Sequence, residues 1–443
     1  MTLEELAQDL AGGRMSAVAL AENALAAIEQ QHRQNIPAFI HVDQKSVLAE
    51  ARESDQRRKQ GRVLSRFDGI PFAVKDLFDV QGQVTTAGSL LLKEAKPAAA
   101  DSDAVALLRT RGLVVLGRTN MTEFAYSGVG LNPHYGTPTS GYDRKAGRIP
   151  GGSSSGSAVA VADGVCAIAL GTDTGGSCRI PAAFNGIAGF KPTASRISKR
   201  GVFALSALFD SIGPLARSAA CCAIADDILS GGEGQTSSST ASRPLKLAVL
   251  KTYVMDGLAP EVEEAFQRTL KLLGKSADVS ILEFAPLAEL QSLLNNGGIV
   301  AYEAWHLHRE WLETRQSEYD PRVASRIRFG GNTDATDLAW ILARRSALIE
   351  KFRQFASGFD AVICPTVPMP PPKVSELALD DAYRHLNGLA LRNTYVFNFL
   401  DGCAGSIPMQ RESEPPIGLM LAQAANHDRQ LLAAMQEVER LLR

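Results

Sequence analysis

An α/β fold is predicted by three observations. Short apolar runs of strand length alternate with helix-length amphipathic stretches over most of the chain. Two Gly-rich loops in its first half are bounded by such regular, apolar segments. The 443 residues are 45% apolar and 21% charged, enough core for one large domain and too apolar for wholesale disorder.

The elements follow in order. Residues 2–31 read as two helices: Thr2 and Glu5 form a capping box, and Gly12 and Gly13 stop the first. In the second, Val18, Ala21, Leu25 and Ile28 share one helical face. The charged stretch 45–62 predicts a third helix. Segment 1–66 carries no chemical motif and is read as helices packing on the core. Residues 69–74 form a buried strand that ends at Lys75 and Asp76, followed by helix 101–111 and strand 112–117. From 128 to 156 Gly, Pro, Ser and Asn dominate without an apolar period. So long a loop in a compact chain is functional or disordered. Helix 157–165, strand 166–170 and a second Gly-rich loop, 171–177, come next.

The Gly/Ser-rich run 231–243 is the linker candidate. Beyond it, strand 245–250, a helix opened by Pro260 and closed by Gly274, and strand 278–284 make a βαβ unit. Segment 288–355 is mostly helical and holds Trp305, Trp311 and Trp340. Strand 361–365 ends in a Pro-rich loop to Lys373. A strand pair near 406–409 and 417–421 precedes a last helix with Leu431, Met435, Val438 and Leu442 on one face.

Charge and cysteine usage narrow the function. Lys+Arg is 46 against Asp+Glu 48, without the basic excess of a protein that coats nucleic acid or anionic membrane. The six cysteines form no CxxC pair and read as buried free thiols. The acidic start shows no signal peptide, and no apolar run reaches the ~18 residues of a membrane span. A cytoplasmic location is expected.

The chemistry lies in the two loops, Gly151-Gly-Ser-Ser-Ser-Gly-Ser157 and Thr174-Gly-Gly-Ser177. Glycine lets backbone N–H groups approach a ligand closely, as phosphate cradles and oxyanion holes both require. GxxxxGK[ST] is absent and no GxGxxG opens a helix after a strand, which argues against a nucleotide site. No GxSxG elbow surrounds the serines. Of seven histidines only His134 lies in the motif-bearing region. The alternative base is Lys75 at the end of its apolar strand, where desolvation would favour the neutral amine. An ion pair of Lys75 with Asp76 or Asp79 is the competing structural reading.

Six ordered motifs then carry a family resemblance: Gly69-Ile-Pro-Phe-Ala-Val-Lys75-Asp, Thr85-Thr-Ala-Gly-Ser89, Gly117-Arg-Thr-Asn-Met-Thr-Glu-Phe124, Pro150-Gly-Gly-Ser-Ser-Ser-Gly-Ser-Ala158, Gly171-Thr-Asp-Thr-Gly-Gly-Ser-Cys-Arg-Ile-Pro-Ala-Ala183 and Gly189-Phe-Lys-Pro-Thr193. The chain resembles the amidase signature family, densely over 67–217 and more loosely at the C-terminus. The resemblance implies one large amidase-signature domain over 67–443, a central mixed twisted sheet covered by helices on both faces, with 230–355 a variable segment around the substrate. It implies a Ser–cis-Ser–Lys triad: Lys75 as general base, Ser153 as the bridging serine on a cis peptide, Ser177 as nucleophile. Thr174, Gly175, Gly176 and Ser177 match the oxyanion loop, and Ser154, Asp173 and Arg179 the residues that brace it. Cys178 departs from the small aliphatic residue commoner there and is expected to pack inward.

The implied activity is hydrolysis of a small-molecule amide through an acyl-enzyme, with no metal or cofactor. The sequence offers no HExxH or Cys/His cluster. No nucleic-acid or membrane partner is expected, and a homodimer is left open. The alternative is the amide-hydrolysing (A) component of a tRNA-dependent amidotransferase, which works in a complex with partner subunits. The divergent 230–355 segment and compact C-terminus favour a free-standing enzyme. Substrate-lining side chains are expected from 124–131, from the helices carrying Trp305 and Trp340, and from the Pro-rich loop after Cys364.

Overall fold

The computed structural model describes residues 1–236, 243–294 and 298–443. Among them one mixed sheet of 11 strands runs through the molecule in the order β1-β3-β2-β4-β6-β5-β10-β11-β9-β7-β8. The strands are β1 (Phe39–His41), β2 (Pro71–Lys75), β3 (Val114–Thr119), β4 (Ile168–Asp173), β5 (Ala188–Lys191), β6 (Ser211–Ala216), β7 (Lys246–Leu250), β8 (Asp278–Leu282), β9 (Ala361–Pro365), β10 (Cys403–Pro408) and β11 (Gly418–Gln423). Every residue of β2, β4, β6 and β11 is buried, as expected of inner strands covered on both faces.

Helices flank the sheet: α1 (Leu3–Ala11), α2 (Ala17–Arg33), α3 (Gln44–Lys59), α4 (Asp103–Thr110), α5 (Ser155–Ala162), α6 (Arg179–Asn185), α7 (Ala219–Leu229), α8 (Pro260–Leu273), α9 (Leu290–Leu293), α10 (Gly298–Thr314), α11 (Pro321–Phe329), α12 (Ala335–Ala356), α13 (Asp380–Phe399) and α14 (Asp428–Leu442). The predicted capping box of α1 is present, with both Thr2 and Glu5 engaged. The predicted βαβ unit is β7-α8-β8, its two strands parallel and in register from Lys246↔Asp278 to Leu250↔Leu282. None of the described helices is long and apolar enough to cross a membrane.

Two features differ from the sequence reading. The first 66 residues are not helix alone, because Phe39–His41 adds an antiparallel edge strand beside β3. The strands β5 and β6 and the helices α6, α7 and α13 go beyond the elements that local pattern marks. Pro214 sits inside β6 opposite Leu170 of β4, although proline gives a strand interior no N–H to donate. Much of the linker candidate 231–243 lies outside the described residues. All six cysteines are free and buried, Cys178 with its Sγ towards the Gly213 carbonyl.

The site is positioned by one topological fact. Strands β2 and β4 are parallel neighbours, Val74 facing Leu170, so their carboxyl ends reach the same edge of the sheet. Lys75 leaves one and Thr172 and Asp173 leave the other. The loop before α5 and the loop before α6 close over that edge.

Candidate active site

Lys75 is fully buried. Its Nζ lies 2.7 Å from Ser153 Oγ and 2.8 Å from Thr172 Oγ1, two neutral hydroxyls. Asp76 turns away: its carboxylate is engaged by Arg118 Nε at 2.6 Å and by the Thr86 hydroxyl. Asp79 takes the Thr85 hydroxyl at 2.7 Å. The ion-pair reading of Lys75 is therefore not realised with either aspartate. Burial is the main cause that pulls the lysine down from its ordinary value to about 7, against weaker opposing fields from Cys178, Asp210 and Asp173.

The Gly152–Ser153 peptide bond is cis. The Ser153 carbonyl accepts from the Thr122 amide at 3.1 Å, and Ser154 Oγ reaches the Thr172 carbonyl at 3.4 Å. Ser157 ties α5 to both neighbouring strands, with its Oγ 2.7 Å from Thr119 Oγ1 and donating to the Leu170 carbonyl at 2.9 Å.

Ser177 and the loop 174–177 lie between β4 and α6. Among the described residues no acceptor takes the amide N–H of Gly175, Gly176 or Ser177. Three adjacent donors thus stay available beside the Ser177 hydroxyl. Gly176 has φ +140°, and a Cβ there would lie 2.2 Å from Thr394 Oγ1, so only glycine fits. Below the loop Asp173 and Arg179 form a fully buried ion pair at 2.9 Å. Burial alone would raise Asp173, but the Arg179 charge and hydrogen bonds, helped by Lys191 and Asn398, hold it at about 2.

The loop is also braced from far along the chain. Thr394 Oγ1 donates to the Gly175 carbonyl at 2.7 Å. Asn398 donates to Asp173 Oδ1 at 2.9 Å and accepts from Arg179 Nη2 at 2.6 Å. Asp210 accepts the Thr174 hydroxyl. Sequence reasoning missed Thr172, Asp210, Thr394 and Asn398. Their signal would have been polar residues in an otherwise apolar helix or strand end.

Thr174, Gly175 and Ser177 open into a cavity of about 390 Å³. Ala125, Tyr126 and Ser127 line it, as expected of segment 124–131. The helix carrying Trp305, α10, reaches the wall through Val300, while Trp305 itself packs half-buried against the core. Two other expectations fail. The helix carrying Trp340, α12, supplies no lining residue, and Trp340 is 48% exposed. The Pro-rich loop after Cys364 is not in the wall either; α13 supplies that side through Tyr383, Asn387, Leu391 and Tyr395. His134 is held elsewhere, with Nε2 3.0 Å from the buried Glu123.

The family model for Amidase matches residues 19–432. The chain belongs to the amidase family. It is an amide-hydrolysing enzyme. The A component of the glutamyl-tRNA(Gln) amidotransferase of Lachnospira eligens is 32% identical over 95% of this amidase and 94% of its own length. AtzE, a 1-carboxybiuret hydrolase component of Pseudomonas sp. (strain ADP), is 34% identical over 84% of this chain and 83% of its own. The crystal structure of an amidase superposes with a TM-score of 0.89 at 32% identity, covering 99% of both chains.

Proposed function

We propose that this amidase hydrolyses the C–N bond of a small-molecule amide through an acyl-enzyme on Ser177. The observation that carries the reading is a fully buried lysine, lowered to about 7, whose Nζ is 2.7 Å from the Ser153 hydroxyl. At neutral pH a large share of such a lysine is uncharged and able to accept a proton.

Neutral Lys75 takes a proton from Ser153 as Ser153 takes one from Ser177. The Ser177 Oγ–carbon bond forms, and the free amides of Gly175, Gly176 and Ser177 stabilise the oxyanion. The proton returns through Ser153 to the nitrogen, the C–N bond breaks, and ammonia or an amine leaves. Water attacks the ester by the same relay and releases the carboxylate. Ser154, Asp173 and Arg179 hold the two loops together.

Segment 230–355 selects the substrate in this reading. Tyr253, Gln291, Leu294, Val300 and Arg326 of that segment line the cavity, which supports it. The test is ammonia release from aryl, alkyl, carboxylated and urea-type amides, with Ser177→Ala as control. A fluorophosphonate should label Ser177. Labelling of a different serine in an active preparation would sink the nucleophile assignment.

The second reading, the A component of a tRNA-dependent amidotransferase, is favoured by relatives of that name matched along nearly the whole chain. Hydrolysis that appears only when a co-purified partner chain is present would select it. Full turnover by the isolated chain selects the free-standing enzyme.

A further inference from the structure

The loop around Ser177 accounts for the reacting end of a substrate, but another part of the same cavity wall is cationic. Arg326 of α11 and Arg384 and Arg392 of α13 line it, and among the described lining residues there is no Asp, Glu or Lys. Arg384 is exposed and pairs with Asp381 at 3.0 Å. Arg326 and Arg392 are half-buried, and neither has a carboxylate partner among the described residues.

Their hydrogen bonds go to neutral acceptors. Arg326 lies 4.6 Å over the ring of Tyr126 and donates to the Tyr126 carbonyl at 3.0 Å. Arg392 donates to Asn393 Oδ1 at 2.9 Å, to the Val254 carbonyl at 3.1 Å and to the Asp256 carbonyl. Among the described residues, donors remain without a partner on both guanidinium groups. Burial holds Arg392 below its ordinary value, against smaller opposing fields from Tyr253 and Asp256. A half-buried guanidinium with no carboxylate in ion-pair contact bears a desolvation cost that a carboxylate offsets well, because the planar fork can bind it bidentately. Arg392 lines the same cavity as Gly175 and Ser177, with Leu391 beside it packing against Gly175.

We propose that the substrate of this amidase carries a carboxylate away from its scissile bond and no ammonium group, with Arg326 and Arg392 supplying the donors. The proposal rests on the reading of Ser177 as the acylated residue. An ammonium group would meet arginines and no lining carboxylate, so glutamine should be a poorer substrate than the same amide without its amino group.

The experiment compares succinamate, glutaramate and adipamate with butanamide, pentanamide and hexanamide, and glutaramate with L-glutamine. The best carboxylated member should exceed its neutral counterpart in kcat/KM by about 10- to 100-fold, the range for a hydrogen bond to a charged group. Arg326→Gln or Arg392→Gln should shrink that ratio through KM. Because Arg392 also ties α13 to the 254–256 turn, a measurement on the unaltered enzyme runs beside the variants. Glutarate should slow fluorophosphonate labelling of Ser177 more than pentanamide does at equal concentration. Equal or better turnover of the neutral amides, or no protection by glutarate, overturns the proposal while labelling at Ser177 leaves the hydrolase reading standing. No turnover of any member together with no label on Ser177 overturns both.

Discussion

On the proposed mechanism, in which Lys75 is the base, its burial fixes the direction in which catalysis depends on pH. As the base it works only uncharged, so kcat/KM should rise with pH along a limb centred near 7. A pH–rate profile on a neutral amide checks this. Lys75→Arg stays protonated and should lose roughly 10²–10⁴-fold in rate, with no recovery at alkaline pH. The same group makes stability pH-dependent. The folded lysine titrates near 7 and the unfolded one near 10.4, so between these values the unfolded chain binds more protons. Stability is therefore gained as pH rises through that window and lost as pH falls towards 7. Denaturant unfolding beside Lys75→Met should show the two proteins diverging from pH 10 to pH 6, by up to about 4–5 kcal/mol. Asp173 acts oppositely to a buried lone carboxylate: held at about 2 by Arg179, it stabilises the fold above its ordinary titration and loses that contribution as pH falls towards 2. Arg179→Met leaves it buried and unpaired, and should cost about 3–5 kcal/mol by chemical denaturation.

The motif-bearing loops and the strands that deliver them were legible at the level of the element, because their Gly, Ser and Lys positions are local in sequence. Helix α13 was not. Its buried face carries Tyr383, Asn387, Asn393, Thr394 and Asn398 among the apolar residues, which breaks the stripe by which an amphipathic helix is found. Asn393 and Thr394 donate to loop carbonyls, Asn387 accepts from the Ser127 hydroxyl and the Gly128 amide, and Asn398 braces the Asp173–Arg179 pair. Strand β6 escaped too, since its interior Pro214 lacks the N–H that a strand interior donates. The consequence for catalysis is testable. Thr394→Val keeps the shape but removes the bond to the Gly175 carbonyl, and should lower kcat about tenfold with less change in KM. Gly176→Ala combines a disfavoured φ with a 2.2 Å clash and should abolish measurable turnover in the same assay.

Across the whole molecule, strand order was the part the sequence did not carry. Local alternation identifies strands but not their neighbours, and the sheet interleaves chain-distant strands, as where β5 of the first half lies beside β10 near the C-terminus. The cavity is built likewise: its Ser177 loop comes from the dense motif region, while α13 and the 230–355 segment supply other parts of the wall. Exchanging 230–355 with that of a relative of different specificity should move substrate preference while leaving fluorophosphonate reactivity at Ser177. A folded, active chimera with unchanged preference would count against it.

The six buried thiols sample the middle of this sheet, from β4 to β9. Cys166 precedes β4, Cys178 follows Ser177, Cys221 and Cys222 lie in α7, Cys364 in β9 and Cys403 in β10. They amount to a built-in clock for opening of the fold. Iodoacetamide should leave all six unmodified in the native enzyme and spare activity. In dilute denaturant the order in which peptides gain the alkyl mass reads which parts of the sheet come apart together: one shared rate for a single cooperative unit, separate rates for β9 and β10 against β4 if the two halves open independently.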